Sequence, residues 1–269
     1  VIRENKSNKT KAHFGQLMIL CHIKNAQLEC ELWDYKGRLV FRGDQVKDED
    51  GKYAVFSEQG TCASHLMAAR FVDAIAHMPG MGGEDADATG AYTQTQLGPE
   101  CPKTWITLPK DRWPKEWFGK YTEPVVELRT NLYGHPLAGL FWEKHCQKAV
   151  TAVGFTKVTG WECLYKHEKW GLFLSIYVDD FKMGGVKANI SLAWKELRKH
   201  LELDEPQKLE NNVYLGMRQT SCQVSQKLIQ EKHDLFNELF LKPEVDSGNA
   251  DQNVHVKKSV KVNSGQIRG

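Results

Sequence analysis

No Cys-x-x-Cys pair occurs in the sequence, and its seven cysteines, at 21, 30, 62, 101, 146, 163 and 222, are scattered and odd in number. A disulfide framework or a zinc ribbon is therefore not expected, and a reducing compartment suits the chain better. No apolar run is long enough to cross a bilayer and no signal peptide reads at the start, so no membrane partner is expected. Charge of one sign is also scarce. The formal net charge is only +2, so a polyanion would have to be held by a local basic groove rather than by the field of the whole molecule. Internal repeats are absent. What the chain does have is 269 residues with 41% hydrophobic content, enough to bury a core in one large domain or two closely packed subdomains. It opens on Val1, which points to a piece of a longer protein.

The stretch around which the rest is organised is Gly171 to Gly185. A strand-forming apolar run ends in Asp179 and Asp180, and a second short run breaks at Gly184 and Gly185. This predicts a hairpin with acids at its tip. Adjacent carboxylates repel, and a divalent cation held by oxygen ligands would offset the repulsion. An ordinary solvated turn explains the same residues, because Asp is common in turns, and the segment alone leaves both readings open.

Residues 1–13 are polar and suit a linker, and residues 14–83 begin with short strand-like runs, Gln16 to Ile23 and Leu28 to Trp33, with turn residues at Asp34 to Gly37. Alternation along Lys36 to Gly43 would put Lys36, Arg38 and Arg42 on one face, where they could grip phosphates or simply be solvated. Ser64 to Met78 has helical spacing, ended by the glycine-rich Pro79 to Gly83. An acidic cluster follows, Glu84 to Asp87, with Asp87 near a strand end. Asp85 would point to the same side of that strand. A buried-face helix is expected from Pro136 to Gly154, with His135 as a loop or capping residue, and another from Asn189 to Leu201. Asn212 to Met217 and Cys222 to Ser225 read as strands, Gln226 to Phe240 as a helix, and residues 242–269 as a disordered tail.

In order and spacing these segments resemble the reverse transcriptase domain of copia-type retrotransposon polyproteins, from about Cys30 to Phe240. The matching residues are Lys36, Arg38, Leu39, Val40, Arg42 and Gly43; Asp87, Ala91 and Tyr92; Leu132 to Trp142; Tyr177 to Asp180; and Tyr214 to Gly216. The resemblance implies an α+β right-hand polymerase fold: an antiparallel palm sheet backed by helices, with fingers and a partial thumb. The implied divisions are fingers over 14–83, palm over 84–210 and the start of a thumb over 211–241.

The activity it implies is RNA-directed DNA synthesis by two-metal nucleotidyl transfer, with two Mg2+ ions, or Mn2+ in their place, on Asp87, Asp179 and Asp180. Lys36, Arg38, Tyr92 and Tyr177 would contact the incoming nucleotide, Tyr92 excluding a 2′-hydroxyl. Template, primer and dNTPs would be partners, the cytoplasm or a virus-like particle the setting, and integrase and RNase H modules would lie outside this chain. The departures lie in Pro136, Leu137 and Ala138 to Leu140, where the family carries Lys-Gln and then Ala-Pro-Arg. These leave a second expectation standing: an inactive relic that keeps the fold and binds nucleic acid.

Overall fold

The computed structural model, which describes residues 1–240 apart from 9, 57–59, 61, 211 and 221–223, is a mixed α/β protein with mostly antiparallel sheets. Helix α1 (Ile2–Ser7) precedes strands β1 (Ala12–Lys24) and β2 (Asp34–Phe41), and helix α2 (Leu66–Ala76) follows them. Strands β3 (Met81–Asp87), β4 (Lys103–Thr107) and β5 (Val125–Leu128) lead to helix α3 (Ala138–Val153). Next come β6 (Thr156–Lys157), β7 (Leu164–His167), β8 (Leu172–Tyr177), β9 (Asp180–Val186) and helix α4 (Lys187–Leu197). Strands β10 (Gln207–Lys208), β11 (Val213–Tyr214) and β12 (Met217–Arg218) and helix α5 (Gln226–Phe240) complete the described elements. Residues 1–221 form one unit, and a second, from 222 on, contains α5.

A four-stranded sheet runs β2-β1-β4-β5, with β1 and β4 parallel, and a six-stranded antiparallel sheet runs β10-β3-β9-β8-β7-β6. The period of two gives the larger sheet two unlike faces. One carries the row Ile176, Phe181 and Ala86 and the row Leu174 and Met183, which join a single apolar core with Trp142, Cys146 and Val150 of α3 and Ile190, Trp194 and Leu197 of α4. The other carries three rows: Tyr177, Asp180 and Asp87; Ser175, Lys182 and Asp85; and Phe173, Gly184 and Gly83. Helix α2 covers the third row, with Phe71 edge-on to Phe173 at 5.0 Å. Glycine is required there, because a Cβ on Gly184 would lie 2.8 Å from the Val72 carbonyl oxygen.

Over the middle row the contacts are polar. Lys182, 1% exposed, sets its Nζ 2.7 Å from Asp73 Oδ1 of α2 and 4.2 Å from the centroid of the Tyr214 ring. A buried ammonium is tolerable only when paired in this way. The β11–β12 hairpin is fastened to the same place: Gln219 Nε2 donates to Asp73 Oδ1, and the Tyr214 hydroxyl donates to the Asp180 carbonyl at 3.3 Å. The first row is left outside α2.

Several expectations are corrected. The polar start is not all linker, since β1 begins at Ala12 and both Ala12 and His13 are buried. Leu28 to Trp33 is not a strand. Asn25 enters the left-handed region at φ 60, Cys30–Leu32 forms a 3-10 turn, and Trp33 Nε1 closes the loop on the Leu28 carbonyl at 2.9 Å. The predicted turn at Asp34 to Gly37 is instead the start of β2, paired with β1 from Lys24 opposite Asp34. Arg42 leaves the face of Lys36 and Arg38, because β2 ends at Phe41 and Arg42 pairs with Asp44 at 3.1 Å. Gly82 and Gly83 belong to β3, which crosses the expected boundary between fingers and palm. Asn212 to Met217 is a hairpin, turned at Leu215 and Gly216, both with positive φ, rather than one strand. Of Cys222 to Ser225, the first two lie outside the described residues, as does the tail over 242–269, and Val224 and Ser225 form no strand. Among the described residues no helix is long and apolar enough to cross a membrane.

The closeness of α2 to the sheet yields a stability prediction. Gly184→Val should cost about 2–3 kcal/mol through overpacking against Val72. Urea unfolding measures this, and an unchanged midpoint would mean that α2 does not lie against β9.

Candidate functional site

Asp87 ends β3 and Asp180 begins β9, and the two are direct partners in the antiparallel register, so their side chains share one face. Asp179 stands beside them in the β8–β9 turn, with its carbonyl accepting from the Ala88 N–H at 2.7 Å. Burial, then the charges of Asp179 and Asp87, push the Asp180 carboxyl up to about 7, and it shares a hydrogen bond with Asp87. Asp85, in the next row, is pushed up to about 6 by burial, against the pull of Asn212 and Lys182. Asn212 Nδ2 donates to Asp85 Oδ1 at 2.5 Å, while Asp85 Oδ2 is buried without a partner. Asp85, Asp87, Asp180, Asp204 and Glu205, with Tyr214 of the hairpin, line a cavity of about 150 Å³.

The sequence separates the two ends of this acidic row, and the sheet joins them. Strand β3 reaches the site because α2 ends at Ala76, capped by His77, and the chain turns back through Pro79 and Gly80, the latter at φ 77. Strands β8 and β9 reach it because only Val178 and Asp179 lie between them.

A short aromatic chain leads away from the acids. Gly90, left-handed at φ 58, opens the 3-10 turn Ala91–Gln94, which carries Tyr92. Tyr92 meets Tyr133 edge-on, with centroids 4.7 Å apart. Burial raises both phenols, and the nearby Asp179 charge raises them further. The Arg38 guanidinium lies 6.0 Å from the Tyr133 ring centroid.

Of the residues singled out from the sequence, Asp87, Asp179, Asp180 and Tyr92 thus come together, with Arg38 linked to them through Tyr133. Tyr177 faces Asp180 across the hairpin and is exposed. Lys36 lies further out on β2, opposite His22, and is solvent-exposed. His135 is buried, tilted against Phe41 at 5.0 Å, and its Nδ1 accepts from the Leu137 N–H. Burial pulls its pKa down to about 4, so it is a neutral structural residue rather than a stand-in for the missing polar groups. Tyr133, Lys182 and Asp73 were not foreseen. Lys182 alone carried a signal, as a cation inside the apolar run Phe181 to Met183.

Two carboxyls that share a hydrogen bond beside a third are chemically suited to hold a divalent cation, which would replace the shared proton. Among the described residues no three His, Cys, Asp or Glu side chains already close on a common point. No protein-family model matches the chain, and comparison with curated proteins finds no significant match.

The raised Asp180 carboxyl ties stability to pH. Folding takes up a proton there, so this contribution to stability is full below about pH 4 and is lost as pH rises through about 7. In metal-free protein Asp180→Asn should be more stable than the parent at pH 8, by about 1–2 kcal/mol because the carboxyl keeps part of its water. The advantage should vanish by pH 4. Urea unfolding at both pH values reads it, and equal stability at pH 8 would contradict the assignment.

Proposed function

We propose that this chain is the reverse transcriptase domain of a copia-type retrotransposon polyprotein, an RNA-directed DNA polymerase with a right-hand fold. In this reading the six-stranded sheet with α3 and α4 is the palm, and the sheet carrying Arg38 belongs to the fingers. The observation that carries it is the pairing of Asp87 with Asp180, from two distant parts of the chain, beside Asp179. A solvated turn has no need of such a meeting.

Asp87, Asp179 and Asp180 would hold magnesium, which supplies positive charge for the attacking 3′-hydroxyl and the departing pyrophosphate. The protein's own groups do the rest. Asp180, whose carboxyl is pushed up by burial and by its acidic neighbours, would take its ionised form as a ligand of such an ion. Tyr92, supported by Tyr133, presents a ring beside Asp179 where the sugar of a deoxynucleotide would sit. Arg38 brings a cation toward the same place for the triphosphate, with Lys36 further along the strand to meet the nucleic acid. Template, primer and dNTPs are the partners that this reading requires.

One observation favours a second reading, a retrotransposon-derived fold that binds nucleic acid without polymerising. At the positions where the family carries Lys, Gln and Arg, this chain has Pro136, Leu137, which is buried, and Leu140, which is partly buried, beside a buried His135.

Primer extension on an RNA template with magnesium separates the two. The parent should extend, and Asp179→Asn should lose at least about 100-fold in rate; equal extension by both would refute the assignment. Tyr92→Ala should raise ribonucleotide incorporation relative to deoxynucleotide by about ten-fold or more, read by competition between dNTP and rNTP.

A further inference from the structure

We infer that Trp142 is a positioning residue for Asp179 and Asp180, acting through the backbone of Val178. Val178 occupies φ 56, in the left-handed region, where a β-branched side chain crowds its own backbone. Glycine or asparagine would take this conformation readily; valine needs to be held there. Both of its backbone polar groups are tied to distant parts of the chain. Its N–H donates to the Cys62 carbonyl, and its carbonyl accepts from the Trp142 indole N–H at 2.6 Å. The strand before the turn is held on the same side, with the Ser64 N–H donating to the Ile176 carbonyl at 2.9 Å and Ala63 bridged to Tyr177.

The donor's position is set by the core and not by the turn. Trp142 is 0% exposed, belongs to the largest apolar cluster and stacks on His145 from the same helix. Its N–H fixes the plane of the peptide joining Val178 to Asp179. The Ala88 N–H fixes the next peptide through the Asp179 carbonyl. Asp179 is therefore gripped at both ends by groups outside its own hairpin, and Asp180 follows it directly into the pairing with Asp87. The core helix α3 thus reaches through the sheet end and sets the direction in which the two carboxylates leave the backbone.

The catalytic consequence rests on the polymerase reading, while the clamp itself does not, and the test separates them. Trp142→Phe keeps most of the ring and deletes the donor; benzothienylalanine at 142, which has the indole's shape and no N–H, serves if phenylalanine disturbs folding. Amide exchange in a peptide spanning residues 172–186 should quicken about ten-fold in either variant, with α4 unchanged. In primer extension kcat should fall about 100-fold with KM for dNTP nearly constant. Adding Val178→Gly should return kcat to within about three-fold of the Val178→Gly single variant, because glycine holds the turn unaided. Unchanged exchange would overturn the clamp. Faster exchange with unchanged kcat, or a loss that Val178→Gly does not repair, would overturn the positioning role. If the parent extends no primer the polymerase reading falls, and the exchange measurement still decides whether Trp142 holds the turn.

Discussion

Four carboxylates crowded at one end of a sheet, Asp85, Asp87, Asp179 and Asp180, are the constraint to which the rest of the molecule answers. Their mutual repulsion works against the strand pairing that brings them together, and burial of two of them adds to the cost. The fold meets this in three ways. Burial and the neighbouring charges push the Asp180 carboxyl up toward its neutral form; Asn212 donates to Asp85; and Lys182, one register row behind, brings a buried positive charge. That ammonium is itself held between Asp73 and the face of Tyr214. The pair is better understood as organising this corner than as stabilising it outright, since a well-packed apolar pair of similar volume would usually serve stability as well.

Lys182 also explains why so small an element as the β11–β12 hairpin, with two residues in each strand, is part of the site. A two-stranded ribbon of this length is not stable alone. It is fixed at Asn212 to Asp85, at Tyr214 to Lys182 and the Asp180 carbonyl, and at Gln219 to Asp73. Two of these anchors are polar contacts to the acidic face of the sheet, and the third reaches Asp73 of α2, the partner of Lys182 on that face. The hairpin thus becomes one wall of the cavity whose other walls are the carboxylates, and the network that balances their charge also shapes the space beside them.

Local patterns made the outline legible. The apolar run ending in Asp179 and Asp180 formed the expected hairpin, and α5 covers the expected Gln226 to Phe240. Helix α3 ends where Gly154 adopts a left-handed cap at φ 104. One failure came where a local preference was outweighed by pairing. Asp34 to Gly37 has turn residues, yet the long β1 offers backbone partners as far as Lys24, and the ladder prevails over turn propensity. The convergence of Asp87 with Asp180 is a matter of register between distant strands, which no local pattern contains; only a resemblance supplied it as an expectation. The meeting of Lys182 with Asp73 was unreadable for the same reason, because a lysine in an apolar strand gives no indication of which acid it meets.

The departures around Pro136 bear on how a polymerase could work here. With Leu137 buried and His135 held neutral against Phe41, the start of α3 presents apolar packing where polar contacts to nucleotide would be needed. From the four-stranded sheet Arg38 points a cation toward this region, with Tyr133 carrying the contact on to Tyr92. A guanidinium against an aromatic face keeps its charge and its hydrogen-bond donors while losing little freedom on meeting a phosphate. A chain that lacks the helix-borne cations can therefore still offer positive charge to a triphosphate from the sheet side, provided that Tyr133 stays in place. In the polymerase reading, phosphate recognition would then move from side chains at the start of α3 to Arg38, which Tyr133 connects to Tyr92 beside the acids.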